Sequence, residues 1–376
     1  MKKRMMAAAL SVCMAAFAFA GCGKGAAGNA APAQTQPAAQ TPAPAESTAP
    51  AESTAPAEST PAAAESTPAA AETADDTTIR IGVMNGPTAM GMVKLMVDSI
   101  IGTNEGHYLF EDIATEASAL VTPLAQGEVD IAAVPSNLAA TLYNKTNGGI
   151  RVLAVNALGV LNLVERGDSL GSIADLAGHR IYMTGQSAVP EYVVRYLLAE
   201  NGIDPDKDLE IRFCADTTEA LSYLKEEEGA AAILPQPFAT AACAQIEDLR
   251  IVQDLNEAWA QLDPGCEICT GVTVVRTAFA QEHPEAVKTF LREYAASVAH
   301  TEENPDDTAF LIAQFGIVGN AQIARKALPG CHLSCIAGSE LRPALEGFLQ
   351  VLYEQNPASV GGQMPGDDFY YAEASE

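Results

Sequence analysis

The stretch Asp130-Ile-Ala-Ala-Val-Pro135 has a counterpart one hundred residues further along the chain, Ala230-Ala-Ala-Ile-Leu-Pro235. Each is a short apolar run that ends at a proline and leads into an alanine-rich helical pattern. This order of residue types predicts a buried strand followed by a helix at both places. Because repetition at a fixed offset indicates duplicated structural units, the sequence predicts two copies of one unit.

The same offset relates the elements around these two strands. Arg80-Ile81 and Arg180-Ile181 each open a short apolar run, which ends in a loop of small residues at 85–89 and at 184–188. Helical patterns at 90–101 and 190–200, and further strands at 150–155 and 249–252, complete the two copies. Strands that alternate with helices predict an α/β fold in which each copy is a βαβαβ lobe with parallel strands.

The loops after the strands are the expected binding region. In open parallel sheets, ligands bind beyond the carboxyl ends of the strands. Two lobes that face each other would bring the loops of both copies around one cleft, and such clefts close by hinge motion.

The charge of the chain excludes several classes of partner. The 376 residues contain 48 Asp and Glu against 21 Lys and Arg, and residues 79–376 hold 41 of the acids and 17 of the cations. Nucleic-acid binding depends on clustered cations, and a polybasic membrane surface does too, so neither is expected. The net charge does not decide the charge of a small ligand, because salt screens surface charge within about 8 Å.

The first 22 residues have the pattern of an export signal. Lys2, Lys3 and Arg4 precede an uncharged apolar stretch at 5–20, and small residues lead to Cys22. We expect residues 1–22 to be a lipoprotein signal peptide, with Cys22 as the lipidated residue; ordinary cleavage beside an unrelated cysteine is the alternative. The chain would then be anchored by lipid at the extracytoplasmic face of a cell membrane, as on Gram-positive-type surfaces.

Residues 23–78 predict a disordered tether. Of these 56 residues, 41 are Ala, Pro, Ser or Thr, and Glu-Ser-Thr recurs four times. Such a segment has too little apolar surface to offset the entropy of ordering. The tether would hold the folded part away from a membrane.

Four passages resemble one family of transport proteins. They are Arg80-Ile-Gly-Val83, Gly127-Glu-Val-Asp-Ile-Ala-Ala-Val-Pro135, Ser172-Ile-Ala-Asp-Leu-Ala-Gly178 and Phe279-Ala-Gln-Glu-His-Pro-Glu-Ala-Val287. They resemble the nitrate, sulfonate, taurine and thiamine-precursor branch of ABC-importer substrate-binding proteins. The resemblance implies a two-lobed type II periplasmic-binding fold. It also implies a small solute as ligand and a permease with a cytoplasmic ATPase as partner.

The same resemblance implies how the chain divides. Lobe 1 would comprise residues 79–165 and 271–376, and lobe 2 would comprise 166–270. The chain would cross between the lobes near Glu165-Arg166-Gly167 and return near Thr270-Gly271. A monomer without cofactor or bound metal is expected.

Candidate ligand contacts in the first copy lie where strands end. The loop residues Asn85, Gly86, Pro87 and Thr88 combine polar groups with a glycine that permits close backbone approach, although an ordinary tight turn would look the same. Ser118 and the pair Ser136-Asn137 stand at helix starts, where each is equally suited to capping. Asn156 follows a strand near the first crossing and is suited either to the cleft or to the hinge.

Gln186 and Ser187 lie in the matching loop of the second copy, and Gln236 and Phe238 follow its repeated proline. Phe238 offers an aromatic face to a flat or apolar solute, but it is also a core candidate. A lone tryptophan such as Trp259 more often packs in a core than lines a pocket, but its position near the return crossing leaves a place in the cleft open. None of these loops contains Arg or Lys, so a neutral polar solute such as a pyrimidine fits as well as an anion that binds to backbone amides.

The cysteines and the lack of catalytic motifs bear on whether the protein is an enzyme. Beyond Cys22 there are six cysteines, which favour disulfides over free thiols and both over a metal site. No nucleophile elbow, phosphate loop or dinucleotide fingerprint is present. The sequence therefore predicts a solute receptor rather than an enzyme, with an enzyme of the same fold or a surface receptor without a transporter as alternatives.

Overall fold

The structure, a computed structural model, describes residues 77–372. The predicted signal peptide, the lipidation of Cys22 and all but the end of the predicted tether lie outside the described residues. Thr78, the last residue assigned to the tether, already belongs to the first strand.

The described chain alternates strands with helices. The strands are β1 (Thr78–Val83), β2 (His107–Phe110), β3 (Ile131–Pro135), β4 (Ile150–Ala157), β5 (Leu161–Arg166), β6 (Arg180–Met183), β7 (Glu210–Phe213), β8 (Ala231–Pro235), β9 (Leu249–Asp254), β10 (Gly271–Arg276) and β11 (Leu333–Ala337). The helices are α1 (Pro87–Met90), α2 (Val93–Ile101), α3 (Ser118–Gln126), α4 (Ser136–Thr146), α5 (Val189–Glu200), α6 (Thr217–Glu226), α7 (Phe238–Cys243), α8 (Leu255–Gln261), α9 (Thr277–Glu282), α10 (Pro284–Glu303), α11 (Pro305–Gln314), α12 (Ala321–Ala327) and α13 (Leu341–Gln355).

Two sheets form two lobes, and their strand orders correspond. The first sheet runs β11-β4-β10-β3-β1-β2, and the second runs β7-β6-β8-β5-β9. The common order is an edge strand, the repeated Arg-Ile strand, the repeated proline-terminated strand, a returning strand and a last strand. The predicted two-lobed α/β fold is confirmed.

Residues that are one hundred positions apart in the sequence occupy equivalent positions in the strand pairing of the two sheets. In lobe 1, Ile81 stands opposite Ile131 in a parallel pair. In lobe 2, Ile181 stands opposite Ala231 in the equivalent parallel pair. The repeated apolar runs are therefore the central strands of the two sheets, and they are buried throughout except for their terminal prolines.

Two details of the predicted topology are wrong. The sheets are mixed rather than parallel, because β10 lies antiparallel between β3 and β4, and β5 lies antiparallel between β8 and β9. In each lobe, the antiparallel strand is the first strand that the chain forms after it crosses from the other lobe: β5 in lobe 2 and β10 in lobe 1. Since β5 already belongs to the second sheet, the first crossing falls at 158–160 and not near Glu165–Gly167. The chain passes back at 262–270, and β10 begins at Gly271.

A buried carboxylate ties three strands of lobe 1 together. Asp130 is 1% exposed, and it accepts hydrogen bonds from Arg80 Nε at 2.8 Å and Arg80 Nη2 at 2.7 Å. Arg276 Nη2 donates to the same carboxylate at 2.5 Å. Burial would raise the pKa of Asp130, but these hydrogen bonds outweigh burial and hold that pKa below its usual value.

The C-terminal helix α13 joins the lobes. It packs against α4 of lobe 1 and α5 of lobe 2. Trp259 on α8 lies in this shared core, 1% exposed, with its ring 4.5 Å from that of Tyr196 and 5.9 Å from that of Phe348. Its Nε1 donates to the Cys266 carbonyl at 2.8 Å. Trp259 is therefore a packing residue of the lobe junction.

The cysteines of the described chain are all thiols, so the disulfide interpretation is wrong. Burial raises the pKa of Cys331 to about 12 and that of Cys335 to about 11, which keeps both thiols protonated at neutral pH. Within residues 77–372 no three His, Cys, Asp or Glu side chains come together as a metal site. None of the helices in that range has the length and hydrophobicity of a membrane span.

Candidate solute site between the lobes

A cavity of about 150 Å³ lies between the carboxyl ends of the strands of the two lobes. Residues of both lobes line it, together with residues of the two crossings. The lining consists of Met84, Asn85, Gly86, Pro87, Thr88, Ala157, Val160, Leu161, Val189, Pro190, Pro235, Gln236, Phe238 and Thr270. Its volume is close to that of a cavity that accepts a single benzene ring.

The loop after β1 forms the lobe 1 wall. Gly86 has φ +118° and ψ −155°, a conformation that essentially only glycine adopts, so the loop can turn sharply into α1. Asn85 is fixed by its backbone N–H, which donates to the Ala114 carbonyl at 2.7 Å. The Thr88 hydroxyl donates to the Met84 carbonyl at 2.8 Å, so its oxygen can still accept a hydrogen bond.

The wall contributed by lobe 2 is mostly apolar. Val189 and Pro190 begin α5, and Phe238 begins α7 with 42% of its surface exposed. Gln236 is 4% exposed, and its Oε1 accepts from the Thr240 hydroxyl at 2.8 Å. The lobe 2 side thus offers aliphatic and aromatic contacts, with a single side-chain amide.

Four buried side-chain oxygens in residues of the cavity lining or next to it have no hydrogen-bond partner: Asn85 Oδ1, Ser136 Oγ, Asn156 Oδ1 and Thr270 Oγ1. Asn85 and Thr270 line the cavity, and Asn156 immediately precedes the lining residue Ala157. Ser136 donates its backbone N–H to the Thr270 carbonyl at 3.0 Å. Buried polar atoms are normally paired, so four unpaired oxygens in neighbouring residues are unusual. Of the four, only those of Asn85 and Thr270 belong to residues that line the cavity.

The predicted site residues fall into three groups. Six line the cavity: Asn85, Gly86, Pro87, Thr88, Gln236 and Phe238. Ser136 and Asn156 are fully buried, do not belong to the lining, and each leave an oxygen unpaired. Ser118, Asn137, Gln186 and Ser187 are not among the lining residues.

The surroundings of these four residues show why they do not line the cavity. Ser118 is exposed and is the first residue of α3, and the preceding Ala117 holds the cap position, so the serine does not cap the helix. Asn137 is half-buried in the first turn of α4. Gln186 and Ser187 are exposed, and the Ser187 N–H donates to Glu191 Oε2 at 2.7 Å. The start of α5 therefore already holds a carboxylate of its own chain.

Sequence reasoning missed the residues that the crossings supply. Val160 comes from the first crossing, Leu161 is the first residue of β5 directly after it, and Thr270 comes from the second crossing. The sequence already suggested that the return lies near Thr270, and residues at a hinge also border the cleft. That connection would have identified Thr270 as a candidate.

The lining of the cavity contains no charged or titratable side chain. The absence of Arg and Lys from the predicted loops therefore extends to the cavity itself. Nine of the fourteen lining residues are apolar, and the polar ones carry amides or hydroxyls. Such a site can bind by shape and neutral hydrogen bonds.

A model of the family described as ABC transporter, phosphonate, periplasmic substrate-binding protein matches residues 112–325. The match covers more than half of the chain. The chain belongs to this family. Substrate-binding proteins of ABC transporters bind small solutes outside the cytoplasm and work with permease and ATPase components, so the predicted membership is confirmed.

Solved structures of the same kind resemble the chain over most of its length. An ABC transporter protein from Parabacteroides distasonis is 22% identical with a TM-score of 0.67, covering 79% of this chain and 100% of that one. The aliphatic sulphonate binding protein SsuA from Escherichia coli is 14% identical with a TM-score of 0.62, covering 80% and 93%. The alkanesulfonate-binding protein SsuA from Xanthomonas axonopodis, bound to MOPS, is 13% identical with a TM-score of 0.54, covering 76% and 94%.

These identities are low, so the structural likeness shows the fold alone. No curated protein sequence matches the chain.

Proposed function

We propose that this protein is the solute receptor of an ABC importer, which captures one small organic solute in the cavity between its lobes and delivers it to the permease. The observation behind the proposal is the cavity itself, which is lined by residues of both lobes and of both crossings. A solute that contacts the loop after β1 and the lobe 2 wall would bind both lobes at once.

Such a solute would couple binding to the relative position of the lobes. A ligand shifts a conformational equilibrium only by its difference in affinity for the two states. Contacts to Asn85 and Thr88 on one side and to Gln236 and Phe238 on the other exist together only when the lobes approach each other. The permease could therefore distinguish loaded from empty receptor by shape.

The anchoring of the receptor is proposed from the sequence of residues 1–78. A signal peptide that ends at Cys22 and a tether of small residues suit a lipoprotein on the extracytoplasmic face of a Gram-positive-type membrane. The tether would let a monomeric receptor reach the permease while it stays attached. Metabolic labelling with a radioactive fatty acid, compared between the wild type and Cys22→Ala, tests the anchor.

The cavity favours binding over catalysis. Acid–base and nucleophilic mechanisms need titratable or nucleophilic groups in contact with the substrate. The lining offers two threonine hydroxyls and no such base. A receptor without enzymatic activity therefore fits the site best.

Two phenylalanines provide a matched test. Phe238 lines the cavity with 42% of its surface exposed, whereas Phe310 lies on α11, 54% exposed, and is not a lining residue. Calorimetric titration with nitrate, sulfonates, carboxylates and pyrimidines would identify solutes that bind. Phe238→Ala should weaken the binding of each by about tenfold, because an apolar contact is lost. Phe310→Ala should leave it unchanged, and equal effects of the two variants would contradict the cavity as the site.

A further inference from the structure

We propose that the part of the solute that enters the cavity is a hydrocarbon group of about the size of one six-membered ring. The proposal rests on the proposed function and names the chemical class of its solute. Three observations support it: the orientation of the polar side chains in the lining, the use of its backbone N–H groups, and the size of the cavity.

Two of the polar side chains in the lining do not present their oxygens to the cavity. The polar residues of the lining are Asn85, Thr88, Gln236 and Thr270. Asn85 Oδ1 and Thr270 Oγ1 are buried and have almost no accessible surface. A molecule in the cavity therefore cannot form hydrogen bonds with these two oxygens.

The other two polar side chains bond within the protein. The Thr88 hydroxyl donates to the Met84 carbonyl at 2.8 Å. Gln236 Oε1 accepts from the Thr240 hydroxyl at 2.8 Å, and a Cβ at Gly330 would stand 3.4 Å from Gln236 Nε2. Thr240 and Gly330 do not belong to the lining, so the Gln236 amide lies against residues away from the cavity.

The backbone adds few hydrogen-bond donors to the lining. The N–H of Asn85 donates to the Ala114 carbonyl at 2.7 Å, and that of Gln236 donates to the Val160 carbonyl at 2.8 Å. Prolines have no N–H, and three of them belong to the lining: Pro87, Pro190 and Pro235. The accessible surface of the cavity is accordingly almost wholly apolar.

An apolar surface selects an apolar group. A hydrocarbon group gains free energy when it leaves water for such a surface. A phosphonate, sulfonate or carboxylate head would lose its water without finding a donor, which costs free energy. The polar head of a solute would therefore stay outside the cavity, and its hydrocarbon group would enter.

Both lobes contribute apolar side chains to this surface. Met84 belongs to lobe 1, whereas Leu161, Val189 and Phe238 belong to lobe 2. The volume of about 150 Å³ matches one six-membered ring. A methyl group would leave most of this volume empty and would make few dispersion contacts. A ring would fill it and would contact both lobes at once.

Pairs of molecules that share a polar head and differ in the hydrocarbon group test the proposal. Each pair exchanges methyl for phenyl: acetamide and benzamide, ethanol and benzyl alcohol, methanesulfonate and benzenesulfonate. They are titrated calorimetrically into the full chain, purified in detergent, at neutral pH. We expect the phenyl member of each pair to bind at least about tenfold more tightly than the methyl member, whether the head is neutral or anionic.

The other results separate this proposal from the proposed function. Methyl members that bind as tightly as phenyl members, with a loss in Phe238→Ala, would overturn the hydrocarbon group and leave the cavity as the solute site. A preference for phenyl that is confined to one head would overturn it too, because the head would then decide binding. Binding of none of these molecules would also overturn it, whereas the proposed function fails only if no solute of the wider titration binds.

Val189→Thr tests the apolar surface itself. The change keeps the shape of the side chain and places a hydroxyl in the lining, where a bound ring would bury it, so benzamide binding should weaken about fivefold or more. Val351→Thr makes the same change on α13, outside the lining, and should leave binding unchanged. Circular dichroism shows whether both variants are folded. Benzamide affinity in Val189→Thr that equals or exceeds that of the wild type would contradict the proposal.

Phe238→Ala is a second variant, at a position that is partly exposed and tolerates change. Because it removes apolar surface that a ring contacts and a methyl group hardly reaches, it should weaken benzamide binding more than acetamide binding. An equal loss for the two molecules would contradict the proposal.

Discussion

The two lobes share strand order and register, yet they differ in where they place polar groups. Position 130 in lobe 1 is a buried aspartate held by two arginines, whereas the matching position 230 is an alanine. Arg80 pairs with that aspartate inside the lobe, and its counterpart Arg180 pairs with Glu210 at the surface. The register therefore depends on the repeated apolar runs and does not require the buried ion pair.

The same contrast extends to the site. Lobe 1 and the return crossing contribute the unpaired oxygens, and lobe 2 contributes the apolar wall. Asn85 corresponds to Gly185, Thr88 to Ala188, and Ser136 to Gln236. At these three pairs of positions lobe 1 carries Asn, Thr and Ser, whereas lobe 2 carries Gly, Ala and Gln.

The largest expected effect is at the junction that joins the lobes. Trp259→Ala removes a fully buried ring that packs on Tyr196 and Phe348, so it should lower the free energy of unfolding by about 3–5 kcal/mol. Denaturant unfolding followed by circular dichroism measures the change. Phe310→Ala, at an exposed ring, should change it little, and a similarly small effect of Trp259→Ala would contradict the shared core.

The buried carboxylate of lobe 1 should matter more than the surface ion pair of lobe 2. Asp130→Asn removes the charge that holds Arg80 and Arg276, whose side chains are themselves partly exposed, so we expect a loss of about 2–3 kcal/mol. Glu210→Gln breaks the exposed pair with Arg180, and it should produce no measurable change. Thermal unfolding of both variants would separate the two cases.

Acid should reveal the same difference. Burial opposes ionisation of Asp130 and Glu165 and so would raise the pKa of each. Hydrogen bonds from Arg80 and Arg276 lower the pKa of Asp130 below its usual value. Hydrogen bonds from Ser169 and Leu170 do the same for Glu165. Carboxyls of this kind stabilise the fold above their unfolded pKa of about 4, and this stabilisation disappears as pH falls through the lowered folded values. Asp130→Asn should flatten the fall in stability below about pH 4.

The smallest expected effects concern the solute-free site. Asn85→Leu removes a buried oxygen that has no partner, so it should raise the stability of the solute-free protein by about 1 kcal/mol or less. Gln236→Leu on the lobe 2 side breaks an existing bond to Thr240, so it should lower stability by about 1 kcal/mol. Chemical denaturation without added solute tests both, and equal signs would contradict the contrast between the walls.

The sequence predicted what depends on local pattern. The repeated runs at 130–135 and 230–235 became the central strands, and the loop at 85–88 lines the cavity. The exchange of β5 and β10 between the lobes was missed, because an antiparallel insertion depends on contacts between distant parts of the chain. Thr270 and Val160 were missed for the same reason, since only the fold brings both crossings to the cavity.

Ser187 shows the opposite case. Its position in the repeat favoured the site, but the carboxylate of Glu191 occupies its N–H. The repeat placed Ser187 correctly in the chain, but a local hydrogen bond to Glu191 uses the N–H that a ligand would need.

The central claim is that one solute contacts both lobes at the cavity between them. Hydrogen exchange of the full chain, with and without a saturating solute that the calorimetric titration has identified, tests it directly. We predict slower exchange at 85–89 in lobe 1, at 189–192 and 236–240 in lobe 2, and at 270–271 in the return crossing. Protection confined to one lobe, or protection only at sites remote from the cavity, would contradict the account.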